Sequence, residues 1–217
     1  RALHGRYDGA GTVQHAALAR VREEIKRLAR LAPDGATRAP EVQAALAYPD
    51  RIAQRRNGDV PRYEILLLMK DDDGSAVPSS AFFSAAERYQ LMPQVDRWVI
   101  SRTIASLKER PEIVRDTGVI FSVNLSGQSL SDDDILEFIE EEVAAAGLST
   151  TSLCFEVTES AAVSNLEKAQ EFIGALHERG CSIALDDFGA GLSSFAYLKN
   201  FAVDILKIDG GFIRDIS

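Results

Sequence analysis

Apolar and polar positions recur along this chain with two different periods. From Arg62 onward, apolar runs of strand length at 63–69, 119–125, 153–157, 182–185 and 203–208 are separated by longer stretches with helical spacing. Short continuous apolar runs suit strands covered on both faces, and their alternation with helices reads as βα units around a parallel sheet. The helices carry their own end signals. Ser131-Asp132-Asp133-Asp134 precedes Ile135, Leu136, Phe138, Ile139 and Val143, and Gly147 follows. The acids complement the positive N-terminal end of a helix, and the glycine suits a left-handed C-terminal cap. Ser164-Asn165-Leu166-Glu167 reads as a capping box ahead of Ile173 and Leu176, closed by Gly180. Further helices are expected over 79–91, 93–110 and 192–200.

The first sixty residues have a different texture. Leu18, Val21, Ile25, Leu28 and Leu31 recur at spacings of three and four, the stripe of an amphipathic helix over 15–32. Residues 34–40 form a polar connector. The weakly apolar stretch 44–52 contains Pro49, which restricts it to an edge or distorted strand. The expected organisation is an N-terminal helical or linker segment, 1–43, followed by one α/β domain, 44–217.

Composition narrows the class. Of 217 residues, 46% are apolar and 26% charged, the balance of a globular chain and not of a disordered one. No apolar run approaches membrane-spanning length, and the first residues lack the apolar core of a secretory signal, so a cytoplasmic home is expected. Cys154 and Cys181 each lie in an apolar run and read as buried reduced thiols. A net charge of −9 disfavours DNA, RNA polymers or anionic lipid as partners. A phosphate ligand would need a local cation to offset that charge.

The strands carry unexpected polar groups: Glu64, Asn124, Glu156, the pair Asp186-Asp187, then Lys207 and Asp209. Any one of them is most simply a strand-end cap or an ion-pair partner. Together they are not, because strand ends of a parallel α/β fold converge on one face, and clustered carboxylates cost several kcal/mol without a cation. Oxygen donors without cysteine or histidine favour Mg²⁺, Mn²⁺ or Ca²⁺. The adjacent pair Asp186-Asp187 suits two metals about 3.5–4 Å apart, an arrangement that activates water for attack on a phosphodiester. His4, His15 and His177 belong to no constellation.

With these residues in place the chain resembles the EAL domains, bacterial cyclic di-GMP phosphodiesterases. The resemblance rests on Arg62-Tyr63-Glu64-Ile65-Leu66, Val77-Pro78-Ser79, Ala85-Ala86-Glu87-Arg88-Tyr89, Asp96-Arg97-Trp98-Val99, Ser122-Val123-Asn124-Leu125-Ser126, Phe155-Glu156-Val157-Thr158-Glu159, the segment 185–194 and Leu206-Lys207-Ile208-Asp209. It implies a modified TIM (β/α) barrel whose first strand is antiparallel, with an incomplete C-terminal part in this chain. Glu64, Asn124, Glu156 and Asp186 would hold one Mg²⁺ or Mn²⁺, with Asp187 serving the second. Lys207 would meet the nucleophilic water or the scissile phosphate, with Asp209 nearby, and Glu159 would brace the loop 187–194, which links the metals to homodimer contacts. Sensory or GGDEF-type modules are the expected regulators.

Three departures keep a second reading open. Asp50 stands where the family usually has a glutamine, and Leu68 where it has a phosphate-binding arginine. The family also continues past the position of Ser217 with a Glu-Gly-Val-Glu segment, so an extension beyond Ser217, another segment or a partner is expected to close the barrel. The alternatives are an active cyclic di-GMP phosphodiesterase and a catalytically inactive receptor or interaction module.

Overall fold

The computed structural model describes residues 41–46, 62–70, 76–77, 79–109, 111, 118–190 and 195–211. The amphipathic stretch 15–32 and Asp50 lie outside the described residues.

The sheet starts at β1 (Glu41–Leu46), which runs antiparallel to β2 (Arg62–Lys70), with Glu41 opposite Lys70 and Leu46 opposite Ile65. β1 begins ahead of the boundary expected at residue 44. A two-residue strand, β3 (Ala76–Val77), returns antiparallel onto the end of β2. From β2 the order continues through β4 (Ile120–Leu125), β5 (Leu153–Thr158), β6 (Ser182–Phe188) and β7 (Ile205–Ile208), each parallel to its neighbour. Helices fill the crossovers: α1 (Ser79–Arg88) and α2 (Met92–Lys108) before β4, α3 (Ile135–Ala146) before β5, α4 (Glu159–Ser164) and α5 (Leu166–Glu178) before β6, and α6 (Phe195–Leu198) before β7. Five parallel strands with helical crossovers are what the barrel expectation requires of this part of the chain, and the first strand is antiparallel as expected.

Alternation along each strand separates two environments. Ile65, Phe121, Val123, Leu153, Phe155, Val157, Ile183 and Leu185 are buried in one cluster with α2 residues such as Ile104, α3 residues Ile135 and Ile139, and α5 residues Ile173 and Leu176. Ile120, Cys154 and Ala184, with Ile205 packed on them, form a small apolar layer on the other face. Beyond it, toward the C-terminal strand ends, that face turns polar. The cysteines are unpaired and buried, and burial pushes the thiol of Cys154 up to about 11 and that of Cys181 up to about 12.

Element ends shift from expectation at several places: α1 stops at Arg88, α2 runs from Met92 to Lys108 and β7 starts at Ile205. α5 is capped by Asn165, whose side chain accepts from the Lys168 N–H at 3.4 Å, and not by Ser164. Ser164 belongs to the last turn of α4 and donates to the Ala161 carbonyl at 2.7 Å. β6 extends to Phe188 because backbone pairing carries it through the aspartates, Asp186 lying opposite Thr158 and Phe188 opposite Ile208. Of the helix expected over 192–200, residues 195–198 are helical, and 192–194 lie outside the described residues. α3 ends as its sequence requires: Gly147 adopts φ +65°, and its N–H and that of Leu148 reach back to the carbonyls of Ala144 and Val143. Among the described residues no helix is long and apolar enough to cross a membrane.

Phe155→Ala, at the centre of the helix-facing core, should lower stability by about 3–5 kcal/mol in urea unfolding. A loss under about 1 kcal/mol would show that this face is not packed as described.

Candidate metal centre and adjoining cleft

Glu64 from β2, Glu156 from β5 and Asp186 from β6 each place one carboxylate oxygen within 4.8 Å of the others. At that 4.8 Å separation, two unit charges repel by about 3.5 kcal/mol at an effective dielectric of 20. β4 supplies Asn124 between two of the acids, its Nδ2 donating to Glu64 Oε1 at 2.9 Å. β7 supplies the compensating charge. Lys207 Nζ lies 2.5 Å from Glu156 Oε2, 2.7 Å from Asp186 Oδ2 and 3.5 Å from Glu64 Oε2. Four of the five parallel strands thus contribute a charged group, and the fifth an amide.

The titration behaviour follows from this arrangement. Burial raises the Glu156 carboxyl above its ordinary value, and the hydrogen bond from Lys207 opposes that rise. For Lys207 burial acts to lower the pKa, but hydrogen bonds to Asp186 and Glu156 outweigh it and hold the ammonium charged well above its ordinary range. Three carboxylates against one ammonium leave a formal charge of −2 on the cluster. Surplus negative charge on an all-oxygen donor set fits a hard divalent cation. The residues present therefore fit such a cation.

The two adjacent aspartates are treated differently by the backbone. Asp186 points into the cluster, whereas Asp187 takes φ +54° and donates its N–H to Asp186 Oδ1 at 2.8 Å. The Asp187 carboxylate lies outside the group of three. Loss of hydration, then the charges of Asp186 and Asp209, raise its pKa. Asp209 lies past the end of β7. Its N–H reaches the Phe188 carbonyl at 3.0 Å, and its Oδ1 accepts from the Gly211 N–H at 2.7 Å.

Glu159 has two roles at once. It is the first residue of α4, whose cap is Thr158, and its buried carboxylate accepts from the Gly189 N–H at 2.9 Å and from the Tyr197 hydroxyl. The residue expected to brace the loop after Asp187 thus also opens a helix. Sequence reasoning had no signal for Tyr197, because nothing in the spacing of 159 and 197 brings them together. Leu68 lies in β2 opposite Gln43. His177 is an exposed α5 residue 3.7 Å from Asp204.

Beside Asn124 opens a cleft of about 1370 Å³, with Leu66, Phe83, Met92 and Pro93 on its apolar side and Gln128 and Ser126 among its polar groups. That volume exceeds the usual range for small ligands, so a dinucleotide-sized molecule can be accommodated.

Fold and site together define an α/β domain whose parallel strands present a carboxylate-rich centre for a hard cation on one face of the sheet. The chain belongs to the EAL domain family, whose signature matches residues 45–217. It is similar to the cyclic di-GMP phosphodiesterase PdeF of Escherichia coli K12, with 38% identity over 159 residues, 73% of this chain and 21% of that protein. The cyclic di-GMP phosphodiesterase PdeB of Shewanella oneidensis is 35% identical over 156 residues, 72% of this chain and 18% of that one. The chain thus spans about a fifth of the length of these relatives. Among solved structures, the FimX EAL domain from Pseudomonas aeruginosa bound to c-di-GMP is similar at a TM-score of 0.68 and 28% identity, covering 94% of this chain and 74% of that one.

Mn²⁺ added to the chelator-treated protein should raise its melting temperature, since a ligand at a hundred times its Kd adds about 2.7 kcal/mol to stability. Glu156→Gln should abolish that shift in a thermal melt. An undiminished shift would show that the cation binds elsewhere.

Proposed function

We propose that this chain is a metal-dependent phosphodiesterase that opens cyclic di-GMP to linear pGpG in bacterial second-messenger signalling. The convergence of Glu64, Asn124, Glu156 and Asp186 around Lys207 carries the reading. Glu64, Asn124, Glu156 and Asp186 would hold one Mg²⁺ or Mn²⁺, and Asp187 would serve a second. A bound metal pair would supply Lewis acidity and a water acidic enough to attack a phosphodiester at neutral pH. Lys207 keeps its proton and offers a fixed positive charge to that water or to the scissile phosphate. Glu159 braces the segment after Asp187 through Gly189.

The cleft beside Asn124 is of a size to receive the dinucleotide, and Glu64, Leu68, Asp50 and Asp209 would be the residues that meet it. The relatives named as cyclic di-GMP phosphodiesterases and the c-di-GMP-bound FimX domain support this ligand. Homodimer contacts through 187–194, and control by attached sensory or GGDEF-type domains, belong to the same reading. Cytoplasmic residence goes with it too, since a nucleotide second messenger acts inside the cell.

One observation favours a second reading, a receptor that binds cyclic di-GMP without hydrolysing it. Leu68 stands where the family has an arginine. Losing a forked cation at a phosphate contact costs about 2 kcal/mol, roughly thirtyfold in affinity. The hydrolytic reading is preferred because the carboxylates are retained, and without a catalytic role their mutual repulsion would be a cost without return.

Incubation with cyclic di-GMP and Mn²⁺, followed by chromatography for pGpG, separates the two. Turnover that disappears in Glu64→Ala supports the enzyme, and measurable binding without turnover selects the receptor. Leu68→Arg should tighten cyclic di-GMP binding by roughly thirtyfold in calorimetry; an unchanged affinity would remove position 68 from the contact.

A further inference from the structure

A buried carboxylate outside the cluster stands behind one of its members. Asp96 lies on α2 and is only 4% exposed. Its Oδ2 accepts from the Ser126 N–H at 2.8 Å and from the Ser129 hydroxyl at 2.7 Å. Ser126 is the first residue after β4. The turn it opens is closed by the Ser129 N–H to the Ser126 carbonyl at 3.1 Å, and the two serine hydroxyls lie 3.3 Å apart. The next residue on α2, Arg97, holds the far side of the same turn, its guanidinium 2.9 and 3.0 Å from the Asp132 carboxylate oxygens. Two residues before Ser126 is Asn124, which donates to Glu64.

Packing alone would be served better by an apolar side chain here. A carboxylate taken out of water is costly unless its oxygens are hydrogen-bonded, and burial does raise this one's pKa against the opposing bonds from Ser126 and Ser129. Both bonds fall on one oxygen and both end on the turn, so what the residue fixes is the exit of β4 relative to α2.

We propose that Asp96 is a positioning residue for the metal centre: by holding the Ser126 N–H and the Ser129 hydroxyl it locks the end of β4, and so the direction in which Asn124 presents its amide to Glu64 and to the cation. The inference rests on Asn124 and Glu64 being metal ligands. Groups that orient ligands from behind typically contribute about 10–100-fold to metal affinity.

The test is calorimetric titration of the protein with Mn²⁺ well below its melting temperature, alongside Asp96→Ala, Asp96→Asn and Val143→Ala. Val143 is a buried residue at the opposite end of α3 from the turn and controls for general destabilisation. Asp96→Ala should weaken Mn²⁺ binding by about 10–100-fold. Asp96→Asn should recover most of it, because one amide oxygen can accept both bonds, and Val143→Ala should bind as the unsubstituted protein does. Full affinity in folded Asp96→Ala, or an equal loss in Val143→Ala, overturns the inference while leaving the metal centre standing. If Asp96→Ala does not fold, Ser129→Ala removes one of the two bonds and should still weaken binding severalfold; unchanged affinity in that variant overturns the inference as well. No Mn²⁺ binding by the unsubstituted protein overturns the metal-centre reading and this inference with it.

Discussion

The site depends on one electrostatic balance, the single ammonium of Lys207 set among the carboxylates of Glu64, Glu156 and Asp186. Of the three acids Glu156 is the least able to stand alone, since it is almost fully buried. The lysine makes the cluster possible but does not neutralise it. What remains is a concentrated negative charge with oxygen donors facing one another across four strands, which is the physical specification of a site for a hard cation.

Holding like charges close together requires a rigid frame, and the opposite face of the sheet supplies it. Phe155, Leu153, Val157, Ile183 and Leu185 interlock with residues of α2, α3 and α5, so β5 and β6 have no freedom to part and relieve the repulsion. The strand direction does the rest. In parallel register Asn124 lies opposite Glu156, and the neighbouring rung sets Thr158 opposite Asp186. Polar groups near the C-terminal ends of successive strands therefore meet at one end of the sheet, above the apolar layer of Ile120, Cys154 and Ala184. Backbone conformation adds a refinement at Asp187, where a positive φ departs from strand geometry just after Asp186.

Much of this was legible beforehand. The five parallel strands follow from short apolar runs, and the ends of α3 from a run of acids and a glycine. The candidate ligands followed from polar residues interrupting strands that otherwise bury themselves. The reading faltered where one residue serves two elements. Asp186 and Asp187 looked like the end of β6 because charge masks a strand, yet pairing carries the strand past them. Ser164 looked like a cap because the helix ahead of it, α4, is too short to show a period.

Residue types and their order along the chain determined the class of fold, the set of acids and the lysine, because burial and hydrogen-bonding capacity are properties each side chain brings with it. Tertiary structure alone decided which of those groups touch. Lys207 reaches Glu64 from 143 positions away, Tyr197 meets Glu159, and Ser129 meets Asp96, pairings that local spacing does not give. Contacts of that kind depend on the register of non-adjacent strands and on the docking of a helix against a turn. Those are settled by packing across the whole domain and leave no mark in local spacing.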